Sequence, residues 1–177
     1  MRHLATIGLG ANLPSPAGSP EQTVEAAIRD LEMTGRVVSR SSLYCTEPVG
    51  YGKQPAFINA VAQLETDLDP QPLLGFLLAI ERRFGRERSQ GVPNGPRSLD
   101  LDLLLFDDVV LSLPGLSLPH PSIAERRFVL APLCEIAPQL RHPVLGATAA
   151  EMLAALPDQK ANRADAVRRL TNTPELS

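Results

Sequence analysis

The chain has few of the residues that mark several classes of protein. It contains no Trp, two Tyr and five Phe, and its two cysteines, Cys45 and Cys134, match no zinc-binding or redox spacing. Two cysteines do not make a disulfide framework, so we expect free thiols in the reducing cytoplasm. No apolar run approaches the roughly 18 residues of a membrane span, and the run at residues 4–9 is too short for a signal peptide. These absences favour one cytoplasmic globular domain.

The charge distribution points to a small anionic substrate. A net charge of −3 gives no general reason to expect nucleic acid or a membrane surface as a partner. Positive charge is concentrated in residues 82–97, where Glu87 is the single acidic residue. The arginines of this stretch are Arg82, Arg83, Arg86, Arg88 and Arg97. Guanidinium groups bind phosphate in a bidentate manner, so this stretch predicts a phosphate-bearing ligand.

Leu and Asp alternate immediately after this stretch, over residues 99–103. Alternation is typical of a half-buried strand, with the leucines on one face and Asp100 and Asp102 on the other. Carboxylates that close together repel each other unless a cation neutralises them, and an oxygen-only pair suits Mg²⁺. With Arg97 just before the strand, the pattern predicts a metal–phosphate site. The alternative is an ordinary amphipathic strand whose polar face lies in water.

The remaining pattern predicts a single α+β domain. Strands are predicted over residues 4–9, 36–45, 57–64 and 99–106, with a short edge strand over 109–113. A capping box of Ser19 and Gln22 begins one helix, which we expect to end at Gly35, and Asp69 begins a second, which ends near Gly85. Further helices are predicted over 128–136 and 149–156. The order βαββαβ favours a ferredoxin-like sandwich, with helices on one face of a largely antiparallel sheet and long mobile active-site loops.

We assign residues 1–160 to this domain and 161–177 to a polar, frayed C-terminal tail.

Several single residues allow two interpretations. Glu81 is either a solvated helix residue or a contact to a nucleotide ribose or base. His120, between two prolines, is either a loop residue or a hydrogen-bond donor to phosphate. Phe57 and Phe128 either pack in the core or stack on a flat heterocycle, with Asn59 beside Phe57 on the same strand face. We expect His3 and His142, by contrast, to be surface residues.

The motifs together resemble those of the 6-hydroxymethyl-7,8-dihydropterin pyrophosphokinase family of folate biosynthesis. The segment 94–102, Asn-Gly-Pro-Arg-Ser-Leu-Asp-Leu-Asp, is similar to the long signature of that family. Residues 8–12, 42–50, 54–60, 118–121 and 126–128 resemble its other conserved segments, in the same order. The resemblance covers roughly residues 4–140, and it implies a ferredoxin-like enzyme that transfers pyrophosphate from MgATP to the pterin hydroxymethyl group and releases AMP.

The resemblance also implies roles for individual residues. Asp100 and Asp102 would bind two Mg²⁺ ions that bridge the phosphates of ATP. The triphosphate and nucleotide would be held by Glu81, Arg86, Arg88, Arg97, His120 and Arg126, with Arg86 and Arg88 on a loop that closes over them. The pterin would be held by Gly10, Thr46, Val49, Phe57, Asn59 and Phe128, with its ring stacked between the two phenylalanines. The implied enzyme is a cytoplasmic monomer that binds neither nucleic acid nor membrane.

Three features of the chain depart from the pattern of the family. Asn94 stands where many members have Trp, Gly115 stands where some have Arg, and the loop 86–96 is about one residue longer than in some relatives. These departures bear on loop closure and nucleotide affinity, whereas the carboxylates and phosphate-binding arginines are all present.

Two functions remain as alternatives to the enzyme. One is a pterin- or nucleotide-binding homologue without catalysis, and the other is a small nucleic-acid-binding module. The acidic net charge argues against the second.

Overall fold

The computed structural model describes residues 2–46, 55–85, 98–157 and 166–170, in which eight strands and four α-helices form. The strands are β1 (His3–Ala11), β2 (Arg36–Arg40), β3 (Tyr44–Thr46), β4 (Phe57–Thr66), β5 (Asp100–Phe106), β6 (Leu111–Leu113), β7 (Leu116–Leu118) and β8 (Val167–Arg169). The helices are α1 (Pro20–Asp30), α2 (Pro70–Arg83), α3 (Arg127–Ile136) and α4 (Ala149–Ala154).

One six-stranded sheet forms the centre of the fold. Its order is β5–β1–β4–β3–β8, and β2 also pairs with β4. Every pair in this sheet is antiparallel. The long strands β1 and β4 lie in the middle and are almost entirely buried, since helices cover the sheet on both sides. The prediction of a ferredoxin-like α+β fold with a largely antiparallel sheet is confirmed.

The prediction that the helices cover one face of the sheet is wrong. Helices α1 and α2 pack on one face, over a core that includes Ile7, Leu64 and Leu101. Helices α3 and α4 pack on the other face, over a smaller core around Val61 and Leu130. Alternate residues of β4 and β5 therefore enter two different apolar clusters. The polar side chains of β5 lie on the face that α3 covers only in part.

The predicted capping box is present. The Ser19 hydroxyl accepts a hydrogen bond from the backbone N–H of Gln22, and the Gln22 side chain accepts one from the N–H of Ser19. Helix α1 nevertheless ends at Asp30, and a 3₁₀ turn follows, so Gly35 is not its C-terminal residue. A Cβ atom at Gly35 would lie 2.0 Å from the carbonyl oxygen of Glu65. Glycine is required there because the chain approaches the backbone of β4.

Three further predictions need correction. The strand predicted over 36–45 is interrupted at Ser41, whose hydroxyl accepts from the N–H of Val61 and so replaces a backbone partner. The short edge strand does not join the main sheet, because β6 pairs with β7 in a separate hairpin. The tail expected to be frayed contributes β8, which pairs with β3.

Neither of the two histidines assigned to the surface is a plain surface residue. His142 is buried, and its Nδ1 accepts hydrogen bonds from the N–H groups of Val144 and Leu145. His3 is half-buried, and its Nδ1 lies 2.7 Å from Oδ2 of Asp107. Both imidazoles have local polar partners, which explains their burial. Within the described ranges, no helix is both long and apolar enough to cross a membrane.

Candidate active site

The strand register aligns residues of four neighbouring strands in a row across one face of the sheet. Asp100 of β5 lies opposite Gly10 of β1, Gly10 lies opposite Asn59 of β4, and Asn59 lies opposite Tyr44 of β3. Residues that are directly paired across an antiparallel sheet project their side chains to the same face. The carboxylate of Asp100 and the amide of Asn59 therefore lie on one face, with only the hydrogen of Gly10 between them.

Asp102 occupies the next row of the same face. It lies opposite Gly8, while Leu101 and Leu103 project into the core on the other side. The predicted division of β5 into a polar and an apolar face is therefore confirmed. The side chain of Asp102 is 28% exposed, and its Oδ2 lies 4.0 Å from Nη1 of Arg126. Both carboxylates are thus accessible from the side on which α3 begins.

His120 is held beside these carboxylates. Its backbone N–H donates to the carbonyl oxygen of Leu104 at 2.8 Å, which fixes the loop against β5. Burial of the imidazole lowers the pKa of His120 below its usual value, and the nearby Arg126 guanidinium lowers it further, while Asp100 acts in the opposite direction. Burial and Arg126 therefore favour the neutral imidazole.

The tautomer of His120 follows from its hydrogen bond. Nδ1 accepts from the backbone N–H of Ser122 at 3.2 Å, so the proton of the neutral ring resides on Nε2. A neutral Nε2–H group is a hydrogen-bond donor suited to a phosphate oxygen. Together, His120 and Arg126 supply donors next to a pair of carboxylates, which is the arrangement a metal-bound polyphosphate needs.

A buried polar pair lies further along the same face. The Asn59 amide Nδ2 donates to the hydroxyl of Thr46 at 2.9 Å, and both residues are buried. A Cβ atom at Gly10 would lie 2.9 Å from Oδ1 of Asn59, closer than real Cβ contacts. Glycine at this position therefore leaves the orientation of the Asn59 amide undisturbed. The pair can present amide and hydroxyl groups to a heterocycle.

Two aromatic rings belong to the predicted site, and each borders a different part of it. Phe57 is half-buried and lies opposite Thr46 in the strand register. Phe128, at the start of α3, is half-buried against the smaller core, and its ring centroid lies 5.5 Å from Cζ of Arg126. Arg126 thus contacts the ring on one side and approaches Asp102 on the other. The carboxylates and the aromatic part of the site are adjacent.

Glu81 is not a solvated helix residue. It is 2% exposed, and its Oε2 accepts a hydrogen bond from the backbone N–H of Leu101 at 2.8 Å. This bond joins the last turn of α2 to the segment of β5 between the two aspartates. Glu81 therefore holds β5 against α2, and a direct contact to a nucleotide remains a prediction.

Four other predicted site residues lie outside the described residues. They are Val49, Arg86, Arg88 and Arg97. The loop 86–96 also lies there, and so does the departure at Asn94. The departure at Gly115 lies in the turn between β6 and β7, where its φ of 78° suits glycine. The conformation of this turn therefore explains why residue 115 is glycine.

The carboxylate pair fits a magnesium site completed by substrate. The described residues contain no group of three or more His, Cys, Asp or Glu side chains that could hold a metal by themselves. Mg²⁺ is commonly bound by one or two carboxylates and takes its other ligands from water and phosphate oxygens. Asp100 and Asp102, two residues apart on one strand face, supply this donor set. The presence and number of the ions remain predictions.

Sequence reasoning missed a second polar cluster, around Glu135 of α3. Its carboxylate accepts hydrogen bonds from Ser42 and Tyr44, and it forms an ion pair with Arg169 of β8. Ser42 and Tyr44 belong to the segment 42–50 that resembles the family, but no motif or alternation marks Glu135 or Arg169, and the cluster joins three separate parts of the chain. The cluster lies against β3, the strand that carries Thr46.

The fold and the site define a class, a ferredoxin-like α+β domain with a carboxylate pair on one sheet face. A family model described as 7,8-dihydro-6-hydroxymethylpterin-pyrophosphokinase (HPPK) matches residues 6–138. The 2-amino-4-hydroxy-6-hydroxymethyldihydropteridine pyrophosphokinases of Pseudomonas aeruginosa and Bacillus subtilis are 44% and 40% identical to this chain. The first alignment covers 85% of this chain and 90% of the relative, and the second 79% and 81%. The chain belongs to the HPPK family.

Longer proteins also contain a similar domain. The folic acid synthesis protein fol1 of Schizosaccharomyces pombe is 37% identical over 88% of this chain, which spans only 21% of that protein. The structure of wild-type HPPK-DHPS from Plasmodium falciparum with pteroate has a TM-score of 0.66 and 15% identity. That alignment covers 87% of this chain and 42% of the Plasmodium chain. At this identity the likeness concerns the fold alone.

Proposed function

We propose that this chain transfers the β,γ-diphosphoryl group of MgATP to the hydroxymethyl oxygen of 6-hydroxymethyl-7,8-dihydropterin. One observation carries the proposal: Asp100 and Asp102 share a sheet face with the Asn59–Thr46 pair, so a metal-bound triphosphate and a polar heterocycle can lie side by side. Full-length relatives named for this activity, at about 40% identity, support it.

The proposed reaction forms one bond and breaks one. The pterin hydroxyl oxygen attacks the β-phosphorus, the bridging bond between the α- and β-phosphates breaks, and AMP leaves with the bridging oxygen. The hydroxyl proton is released to solvent. Because attack is in line, positioning and charge neutralisation account for most of the catalysis, and no covalent intermediate with the protein is needed.

We assign the metal to Asp100 and Asp102, with two Mg²⁺ ions as the resemblance implies. When bound, these ions neutralise phosphate charge and lower the pKa of the attacking hydroxyl. The side chains of Arg126 and His120 bind phosphate oxygens, with His120 donating through Nε2. Arg86, Arg88 and Arg97 complete this binding in the proposal, and Glu81 holds β5 in place beneath the ligand.

We assign the pterin to the Asn59–Thr46 pair. The amide and hydroxyl of this pair hydrogen-bond the polar edge of the ring, and Phe57 and Phe128 stack on its faces. Gly10 allows the ring to approach the backbone of β1, and Val49 contributes from the following loop. The proposal describes a cytoplasmic monomer without nucleic-acid or membrane partners. The net charge of −3 argues against a nucleic-acid partner, and the unpaired Cys45 and Cys134 suit a reducing compartment.

A product assay tests the proposal. The protein is incubated with MgATP and 6-hydroxymethyl-7,8-dihydropterin, and the nucleotides and pterins are separated by chromatography. We expect AMP and pterin diphosphate in equal amounts, both dependent on the pterin. ADP would instead indicate ordinary phosphoryl transfer. Binding of both substrates without turnover would favour the non-catalytic homologue and refute the proposed activity.

A further inference from the structure

The cluster around Glu135 binds one strand of the sheet tightly. The backbone N–H of Ser42 donates to Oε1 and Oε2 at 3.0 and 3.1 Å, and the Ser42 hydroxyl donates to Oε2 at 2.9 Å. The Tyr44 hydroxyl donates to Oε1 at 2.8 Å. One carboxylate therefore receives hydrogen bonds from two residues, spaced two apart, at the start of β3. Hydrogen bonds to an ionised acceptor are the stronger kind.

The electrostatics of the cluster keep Glu135 charged. Burial opposes this by raising the pKa of Glu135, but the hydrogen bonds from Tyr44 and Ser42 and the charge of Arg169 together hold it below its usual value. Burial, together with the hydrogen bond to Glu135, raises the pKa of Tyr44 to about 12. The Tyr44 hydroxyl thus stays protonated and the Glu135 carboxylate stays ionised throughout the neutral pH range.

The C-terminal strand completes the cluster. In β8, Arg169 lies opposite Tyr44 and Val167 lies opposite Thr46. The Arg169 guanidinium reaches Glu135 at 3.5 Å, and its Nε donates to the Ser42 hydroxyl at 3.1 Å. Strand β3 is therefore held on its outer edge by β8 and on its face by α3. Both attachments converge on Glu135.

Helix α3 connects this cluster to the site. Phe128 and Glu135 are seven residues apart on α3, which is two helical turns and about 10 Å. They lie on the same side of the helix, toward the sheet. At one end Phe128 contacts Arg126, which approaches Asp102, and at the other end Glu135 binds β3. Helix α3 packs on β4 and β3, and Arg126 just before its first turn approaches Asp102 of β5.

The strand that Glu135 binds also carries part of the proposed pterin site. Tyr44 and Thr46 of β3 share one face, and Ser42, two residues before Tyr44, also binds Glu135. Tyr44 lies opposite Asn59 in the register, and the Thr46 hydroxyl accepts from the Asn59 amide. Any movement of β3 relative to α3 changes the distance between the Asn59–Thr46 pair and Phe128. In the proposed function, the pterin ring occupies the space between that pair and Phe128.

We propose that Glu135 is a positioning residue that sets the separation between the Asn59–Thr46 pair and Phe128, and through it the affinity for the pterin. This inference rests on the proposed function. Glu135 does not touch the ligand in this account, and it acts through Ser42 and Tyr44. The expected signature is a selective loss of pterin affinity, with ATP affinity preserved, because the carboxylates of β5 lie at the other end of α3.

The test compares Glu135→Gln with a matched control, Glu25→Gln. Glu25 joins α1 to β2 by accepting from Arg40 Nη2 at 2.9 Å, on the opposite side of the sheet. The two carboxylate side chains are similarly exposed, 21% and 18%. Calorimetry measures the binding of ATP alone and of 6-hydroxymethyl-7,8-dihydropterin in the presence of a non-hydrolysable ATP analogue, and thermal unfolding is followed in parallel.

We expect Glu135→Gln to raise the pterin Kd about tenfold and to change the ATP Kd less than twofold. Glu25→Gln should lower Tm to a similar extent and leave the pterin Kd unchanged. Equal pterin affinity in Glu135→Gln and wild type would overturn the inference. A parallel loss of both affinities would also overturn it, since that result indicates general destabilisation.

A second variant keeps the inference testable if Glu135→Gln does not fold. Tyr44→Phe retains the ring and removes one hydrogen bond to Glu135, so it should raise the pterin Kd in the same direction, by about threefold. An unchanged pterin Kd in Tyr44→Phe would contradict the inference. Absence of pterin binding by the wild-type protein would contradict the proposed function itself, which separates the two failures.

Discussion

Gly10 lies between the carboxylates and the Asn59–Thr46 pair, and Gly10→Ala is the sharpest test of that arrangement. The added Cβ would lie 2.9 Å from Oδ1 of Asn59, whereas ordinary contacts begin at 3.4 Å. The Asn59 amide must therefore move by about half an ångström, a displacement that lengthens its 2.9 Å bond to Thr46 toward the limit of hydrogen bonding.

The size of the effect follows from that bond. An intramolecular hydrogen bond contributes about 1 kcal/mol, and a buried amide left without a partner costs about 1–3 kcal/mol. We therefore expect the pterin Kd of Gly10→Ala to rise at least about fivefold. The ATP Kd should stay within about twofold, because the aspartates project from β5 and no atom of either lies within 4 Å of the added methyl group.

Calorimetric titration of each ligand measures this effect, and Gly8→Ala is the control. Gly8 lies on the same strand and face, and its added Cβ would meet the side chain of Leu104 at 3.3 Å. That contact is also tight, but it is apolar and does not involve Asn59. We expect Gly8→Ala to lower Tm without changing the pterin Kd. Equal pterin affinity in Gly10→Ala and wild type would refute the assignment of Asn59 to the pterin.

Three further predictions concern other parts of the molecule. Asp102→Asn should lower kcat at least about a hundredfold while Tm stays close to wild type, and near-normal turnover would exclude a metal role. Thr148→Ala removes the capping hydrogen bond of α4 and should lower Tm by about 2–4 °C without changing kcat, whereas an unchanged Tm would mean that this cap contributes nothing. The pKa of Tyr44 is raised from 10.0 to about 12, so its contribution to stability is complete below pH 10 and is lost as the pH rises through about 12. The difference in phenolate absorbance between wild type and Tyr44→Phe should show this late titration, and a midpoint near 10 would contradict it.

The sequence predicted the parts of the fold that depend on local periodicity. Leu99 to Leu103 alternate with the aspartates, and the structure places the two sets on opposite faces of β5. The Ser19 capping box was equally visible, since its partners are three residues apart. Such features can be predicted because a few neighbouring residues determine them.

The features that were missed depend on distant partners. The strand predicted over 36–45 is interrupted because the Ser41 hydroxyl bonds Val61, twenty residues away. Glu81 is buried because it accepts from Leu101, twenty residues away on another element. The strand β8 has two arginines and no apolar alternation, so only its pairing with β3 in the structure identifies it as a strand. None of these contacts leaves a periodic signal.

The pairing of β8 with β3 has a consequence for behaviour in solution. A strand that lies at the edge of a sheet offers unpaired N–H and C=O groups to other chains, and charged side chains on such a strand discourage that association. Among the described residues β8 is the outer strand at this end of the sheet, and it carries the exposed Arg168 and Arg169. Strand β8 thus covers the edge of β3, which has no charged residues, and itself forms a short edge strand with two positive charges. Strand β8, which shows no apolar pattern, thus helps to keep this protein from aggregating.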